Sequence, residues 1–149
     1  MGGAAVARQR RLADGTLVLD AQGLAKLAAG DPAVRALVQT AHQRYDNVVT
    51  AASTLAELLR GGAADARMHR VLQRVTVASI DKAVGRKAGE LLGAAGLSGH
   101  RCAVDAMLAA VALAQRRPAL LLTSDPDDMA RLTEESNRSK RERIAVIKV

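Results

Sequence analysis

Aromatic side chains are almost absent: the chain has no tryptophan or phenylalanine, and Tyr45 is its one aromatic residue. Any nucleic acid it holds finds almost nothing to stack on, and its core has to be built from Ala, Val, Leu and Ile. Cysteine is equally scarce. A single Cys102 excludes an intrachain disulfide, argues against a thiolate zinc site and fits a reducing compartment, so the expected location is cytoplasmic. No apolar run approaches the ~18 residues of a membrane span; the longest candidate, Ala106 to Ala114, reads as a buried helix. The amino terminus reaches Arg8, Arg10 and Arg11 before any apolar core of signal-peptide length. Neither of the glycine-rich phosphate motifs GxxxxGK[ST] and GxGxxG follows a strand. Histidines at metal-ligand spacing are missing too. His42 and His69 are expected on polar helical surfaces, and His100 with Cys102 is a lone pair in an expected loop.

What is present is the composition of a globular chain. Of 149 residues, 49% are hydrophobic and 25% charged, enough length and apolar content for one domain with a proper core. The net charge of +7 invites a nucleic-acid reading until its distribution is traced. Residues 1–14 carry a net +2 and residues 138–149, with Arg138, Lys140, Arg141, Arg143 and Lys148, a net +4, leaving the long middle near neutral. The basic excess therefore lies at the chain ends.

Residues 1–14 lack sustained periodicity and read as a flexible leader, with the domain proper spanning 15–149. Thr16 to Leu19 is a short apolar run fit for a buried strand, followed by a helix through Leu24 and Leu27 that stops at Gly30. Asp31 caps a second helix with Pro32 in its first position. A second strand is expected at Val48 to Thr50, a helix from Ser53 to Arg60 closed by Gly61 and Gly62, and another from Ala63 to Gln73. Val75 to Val77 gives a third strand, and Ile80, Val84, Ala88, Leu91 and Leu92 mark a helix ended by Gly96. Leu97 to Arg101 reads as a loop, Cys102 to Gln115 as an alanine-rich helix, Ala119 to Leu122 as strand four, Pro126 to Thr133 as a helix and Ile144 to Val149 as a last strand. Strands alternating with helices predict an α/β fold with a mainly parallel sheet between helical layers, because parallel neighbours need crossovers. Such sheets bind ligands outside the carboxyl ends of their strands.

Four acids fall at or near that edge: Asp20, Glu57, Asp105 and Asp125. Each has a plain alternative. Asp20 and Asp125 sit where helix caps belong, Asp105 is expected in a first turn favoured by the macrodipole, and Glu57 stands three residues before a possible ion-pair partner, Arg60. Yet Glu57 and Asp105 lie among strongly apolar neighbours, and buried carboxylates need partners. Clustered acids repel and resist desolvation, which a hard divalent cation such as Mg²⁺ or Mn²⁺ would relieve.

At these residues the sequence resembles the PIN domain family, and within it the VapC-type toxins of bacterial toxin-antitoxin pairs. The resemblance covers nearly all of residues 15–149. It rests on VLDAQGL around Asp20, LAELLRGG around Glu57, VDAMLAAVAL around Asp105 and LLTSDPDDM around Asp125, in register. It implies a three-layer α/β/α fold and a Mg²⁺- or Mn²⁺-dependent endoribonuclease, often a homodimer held inactive by a small antitoxin. Asp20, Glu57, Asp105 and Asp125 would form the acidic cluster, with Asp128 acting through water, Thr123 orienting a ligand or water, and Arg60 meeting RNA phosphate or Glu57. Two departures stand out: Cys102 occupies a position where close relatives often carry another acid, and Gln22 one commonly held by a small residue. Two further readings stay open, a degenerate module that binds RNA or protein without cleaving it, and a nuclease acting on DNA.

Overall fold

The structure is a computed structural model that describes residues 15–44 and 46–149; the leader expected at 1–14 and Tyr45 lie outside the described residues. Five strands, β1 (Thr16–Leu19), β2 (Asn47–Ala51), β3 (Thr76–Ala78), β4 (Ala119–Thr123) and β5 (Ala145–Lys148), form one sheet in the order β3-β2-β1-β4-β5. Every pairing is parallel: Val18 stands opposite Val49 on one side and Leu121 on the other, and Thr123 opposite Lys148. Seven α-helices accompany the strands among the described residues: α1 (Ala21–Ala29), α2 (Pro32–Gln43), α3 (Ala52–Leu58), α4 (Ala66–Leu72), α5 (Lys82–Ala95), α6 (Gly99–Leu113) and α7 (Pro126–Leu132).

Strand alternation divides the core into two layers. Leu17, Leu19, Val48 and Leu122 pack with Leu24, Val34, Val38 and Met68 of α1, α2 and α4. Val18, Val49 and Leu121 pack on the opposite face with Ala106, Ala109, Met129 and Leu132 of α6 and α7. The three-layer α/β/α arrangement follows, with apolar strands buried on both faces. Helix α6 is the most deeply set, with Ala106, Ala109 and Ala112 fully buried. Alanine there combines high helix propensity with a side chain small enough to let its neighbours approach closely.

Helix boundaries follow local chemistry. Asp20 and Asp31 cap α1 and α2 by accepting from the N–H groups of Gly23 and Val34, and Pro32 stands where a helix needs no donor. Gly30 and Gly96 end α1 and α5 in the left-handed conformation, at φ 84° and 65°, where a Cβ would be strained.

Three expectations change. Helix α6 begins at Gly99, inside the expected loop, so Asp105 lies beyond the first turn and the helix dipole no longer accounts for it. The expected helix 63–73 divides into a 3₁₀ turn, Ala63–Asp65, and α4, because Asp65 turns back to accept from the N–H groups of Arg60 and Gly61. His42 is half-buried with its Nε2 enclosed and unpartnered among the described residues; it faces a small groove beside Leu27, Val38 and Val71 that helix periodicity alone assigns to solvent. His69 is exposed as expected, and His100, expected in a loop, lies within α6 and is exposed.

The segment between α7 and β5 is anchored by Arg117. Its guanidinium meets Glu135 at 2.7 Å, with both side chains about 15% exposed, and donates to the main-chain carbonyls of Leu113 and Glu142. Burial alone would raise the Glu135 carboxyl, but the Arg117 hydrogen bond and charge, with Arg138 adding to them, hold it below its ordinary value. A carboxyl lowered by folding stabilises the fold above its unfolded value of 4.5 and loses that contribution as pH falls through the folded one. Glu135→Gln, which removes the carboxylate partner of Arg117, should lower unfolding free energy by about 1–3 kcal/mol at neutral pH. In urea titrations at several pH values, the gap to the unsubstituted protein should narrow below about pH 4.5.

Candidate functional site

The strand order reverses between β1 and β4, and a pocket of about 410 Å³ opens at their carboxyl ends, where open parallel sheets bind ligands. Asp20, Glu57, Asp105 and Asp125 all line it, together with Gln22, Thr54 and Ser124, against a wall of Leu58, Val104 and Leu108. Acids 20 to 105 positions apart in sequence reach one concavity because β1, β2 and β4 end on the same edge and α6 passes over it.

Asp20 is the most constrained member. It is 7% exposed, and its two oxygens accept from different elements, Oδ1 from the Gly23 N–H at 2.8 Å and Oδ2 from the Ser124 N–H at 2.9 Å. It therefore caps α1 and ties the β4–α7 loop to β1 with one carboxylate. Each oxygen keeps a second lone pair. Thr123, buried, accepts from the Asp125 N–H at 3.0 Å, so its hydroxyl shapes the loop that presents Asp125. Asp125 in turn accepts from the Asp128 N–H at 3.4 Å and caps α7. The capping reading and the pocket reading of Asp20 and Asp125 are thus compatible.

Glu57 projects from α3 and is largely exposed; partial burial and then the charge of Asp20 raise its pKa. The expected pairing with Arg60 is not made through the carboxylate. The guanidinium of Arg60 instead donates to the main-chain carbonyls of Ala56, Glu57 and Leu59, closing the end of α3. Asp105, half-buried on α6, is pushed up to about 6, first by burial and then by the charges of Glu57, Asp125, Asp20 and Asp128. A carboxyl resisting ionisation at the centre of four others marks an unrelieved electrostatic conflict.

Asp128 does not line the pocket with the four acids. It stands near the buried Cys102 Sγ at 4.0 Å and Arg131 at 3.9 Å. Cys102 likewise sits outside the pocket wall, whereas Gln22 borders it. Sequence reasoning passed over two members. Ser124 was legible only as the residue between Thr123 and Asp125, and Thr54 only as a polar residue one turn before Glu57 on an apolar helix.

Carboxylate oxygens are the donors that Mg²⁺ and Mn²⁺ prefer, and a divalent charge would relieve the conflict at Asp105. The donor set therefore fits a hard cation in its chemistry. In the arrangement of the side chains, no three His, Cys, Asp or Glu groups among the described residues surround one point closely enough to hold an ion.

Residues 17–135 match the family model of the PIN domain. Among solved structures, VapBC2 from Rickettsia felis bound to a DNA fragment from their promoter contains a chain similar in fold, with TM-score 0.65 and 15% identity, covering 90% of this chain and 98% of that one. No curated protein matches the sequence. No helix among the described residues is long and apolar enough to cross a membrane.

The Asp105 shift predicts a measurable cost to the metal-free fold. A group raised by folding from 3.8 to about 6 favours the fold while protonated, and that contribution is lost as pH rises through the folded value. Asp105→Asn protein in chelator should therefore be more stable than the unsubstituted chain by about 1–3 kcal/mol near pH 7.5. The two should converge near pH 4, as read by thermal unfolding.

Proposed function

The chain belongs to the PIN domain family, and on that premise we propose that it is a metal-dependent endoribonuclease, the toxin of a type II toxin-antitoxin pair. The observation that carries this reading is the pocket at the β1/β4 reversal, which four carboxylates line and where burial, with the neighbouring charges adding to it, pushes Asp105 up to about 6. Asp20, Glu57, Asp105 and Asp125 would hold Mg²⁺ or Mn²⁺, with Asp128 reaching the ion through water. A cation so bound supplies positive charge to the phosphate and lowers the pKa of an attacking water.

The chain's own residues supply the rest. Asp20 is immobilised by two backbone N–H groups and gives the site a fixed oxygen edge, while Thr123 fixes the backbone that presents Asp125. Asp105, pushed up to about 6 by burial and the neighbouring charges, would ionise more readily once a cation stood beside it. Leu58, Val104 and Leu108 form a dry wall on one side. The Arg60 guanidinium already closes α3, so phosphate contacts fall more naturally to the basic carboxyl-terminal segment. Lys148 stands opposite Thr123 at the pocket edge of the sheet and is exposed. Recognition would rest on RNA shape and phosphates, because Tyr45 alone offers an aromatic ring.

The toxin role, a small antitoxin partner, a homodimer and a cytoplasmic location come from the resemblance to VapC-type toxins, which the fold likeness to the VapBC2 complex supports. A second reading, a PIN module that binds RNA or protein without cleavage, draws on the spread of the acids, no three of which close on one point.

RNA cleavage by purified protein, assayed beside single-stranded DNA, tests the proposal. Asp20→Asn and Asp105→Asn should each lose at least about 100-fold in rate while remaining folded, since even residues behind metal ligands cost 10–100-fold, and EDTA should abolish cleavage by the unsubstituted protein. Cleavage that persists in both variants would remove this mechanism, and a protein that binds RNA but never Mn²⁺ would be the non-cleaving module.

A further inference from the structure

The carboxylate pocket contains an unmatched donor beside unmatched acceptors. Thr54 borders it, is 1% exposed, and its Oγ1 is enclosed with no hydrogen-bond partner among the described residues. A buried hydroxyl is ordinarily satisfied, and leaving one without a partner is unfavourable. The acids differ in the same respect. Asp20 receives two backbone N–H groups and Asp125 one, whereas Glu57 on α3 and Asp105 on α6 receive none among the described residues.

The helix geometry selects which acceptor Thr54 serves. Thr54 and Glu57 stand three residues apart on α3 and share a face. Helical side chains lean toward the amino terminus, so a carboxylate carried by Glu57 lies over the turn that holds Thr54. Glu57 is also the more exposed of the two helix-borne acids. Ligating carboxylates are held by hydrogen bonds to their remaining lone pairs, and Asp20 already has that support.

We infer that Thr54 is the positioning residue for Glu57, its hydroxyl donating to the Glu57 carboxylate when the pocket holds a divalent cation. The inference rests on the metal-site reading above. Without the cation, the Glu57 carboxylate is exposed at the pocket border, repelled by Asp20 and Asp105, and Thr54 is left unpaired. With it, the carboxylate turns inward and the orphaned hydroxyl is satisfied. Ser53, adjacent on α3, also has an enclosed, unpartnered hydroxyl, but it does not border the pocket, which makes it an internal control.

The experiment is thermal unfolding of the full chain against MnCl₂, with Thr54→Val, Thr54→Ala, Thr54→Ser and Ser53→Ala beside the unsubstituted protein. Thr54→Val should unfold no earlier than the unsubstituted protein in chelator, because the change removes an unsatisfied hydroxyl at constant shape, yet its apparent Mn²⁺ affinity should fall about tenfold. Thr54→Ala should show the same affinity loss, Thr54→Ser should retain Mn²⁺ binding, and Ser53→Ala should leave it unchanged. Mn²⁺ affinity within twofold of the unsubstituted protein in both Thr54→Val and Thr54→Ala overturns the inference alone. An unsubstituted protein that does not respond to Mn²⁺ overturns the metal-site reading and this inference with it.

Discussion

One carboxylate holds the two halves of the sheet edge together. Asp20 leaves β1 nearly buried and accepts from the Gly23 N–H on one side and the Ser124 N–H on the other. The first bond starts α1; the second pins the loop that starts α7. A charged acceptor with two backbone donors is a strong local contact, and a buried carboxylate without them would be costly. Around it, the Thr50 hydroxyl donates to the Leu19 carbonyl and the Asp20 N–H to the Leu122 carbonyl, so β1, β2 and β4 end in register. The pocket exists because these ends are level.

Hydrophobic burial sets the scaffold and electrostatics sets the tension within it. A fully buried Leu or Val contributes about 1.5–3 kcal/mol, and Val18, Leu19, Leu24, Leu121, Leu122 and Leu132 are all essentially buried. The conflict at Asp105 opposes folding by an amount comparable to one such side chain. The scaffold can carry that cost without losing its shape, which is what allows like charges to be held close together. The shortage of aromatic residues has its counterpart here: α6 fills its layer with alanine and packs by proximity.

Much of the fold was legible because period and punctuation agree. TLVL before Asp20, Asp31-Pro32, Gly30 and Gly96 each have a local physical meaning that tertiary structure leaves in place. The failures have local causes as well. Residues 97–101 read as a loop, yet α6 starts within them at Gly99, stabilised by packing against α5. Within 63–73, Asp65 folded back on Arg60 and Gly61, an acceptor choice that no periodicity reveals. His42 looked polar in its helix and became enclosed because α4 closes over that side. In the site, the four acids were visible as residues, but the support given by Ser124 and the isolation of Thr54 were not.

The sequence by itself determined the element order, most helix ends and the identity of the acids, because propensity, capping and alternation act over a few residues. It also placed the basic excess at the chain ends and the acids in a near-neutral body. Only the tertiary structure decided that Asp105 stands among four other carboxylates, that Arg60 closes a helix without pairing with the Glu57 carboxylate, and that Cys102 is buried outside the pocket lining. Those outcomes depend on which strands are neighbours and how far a helix extends. Such distances are set by parallel crossovers and core packing across the whole chain, and no local spacing encodes them.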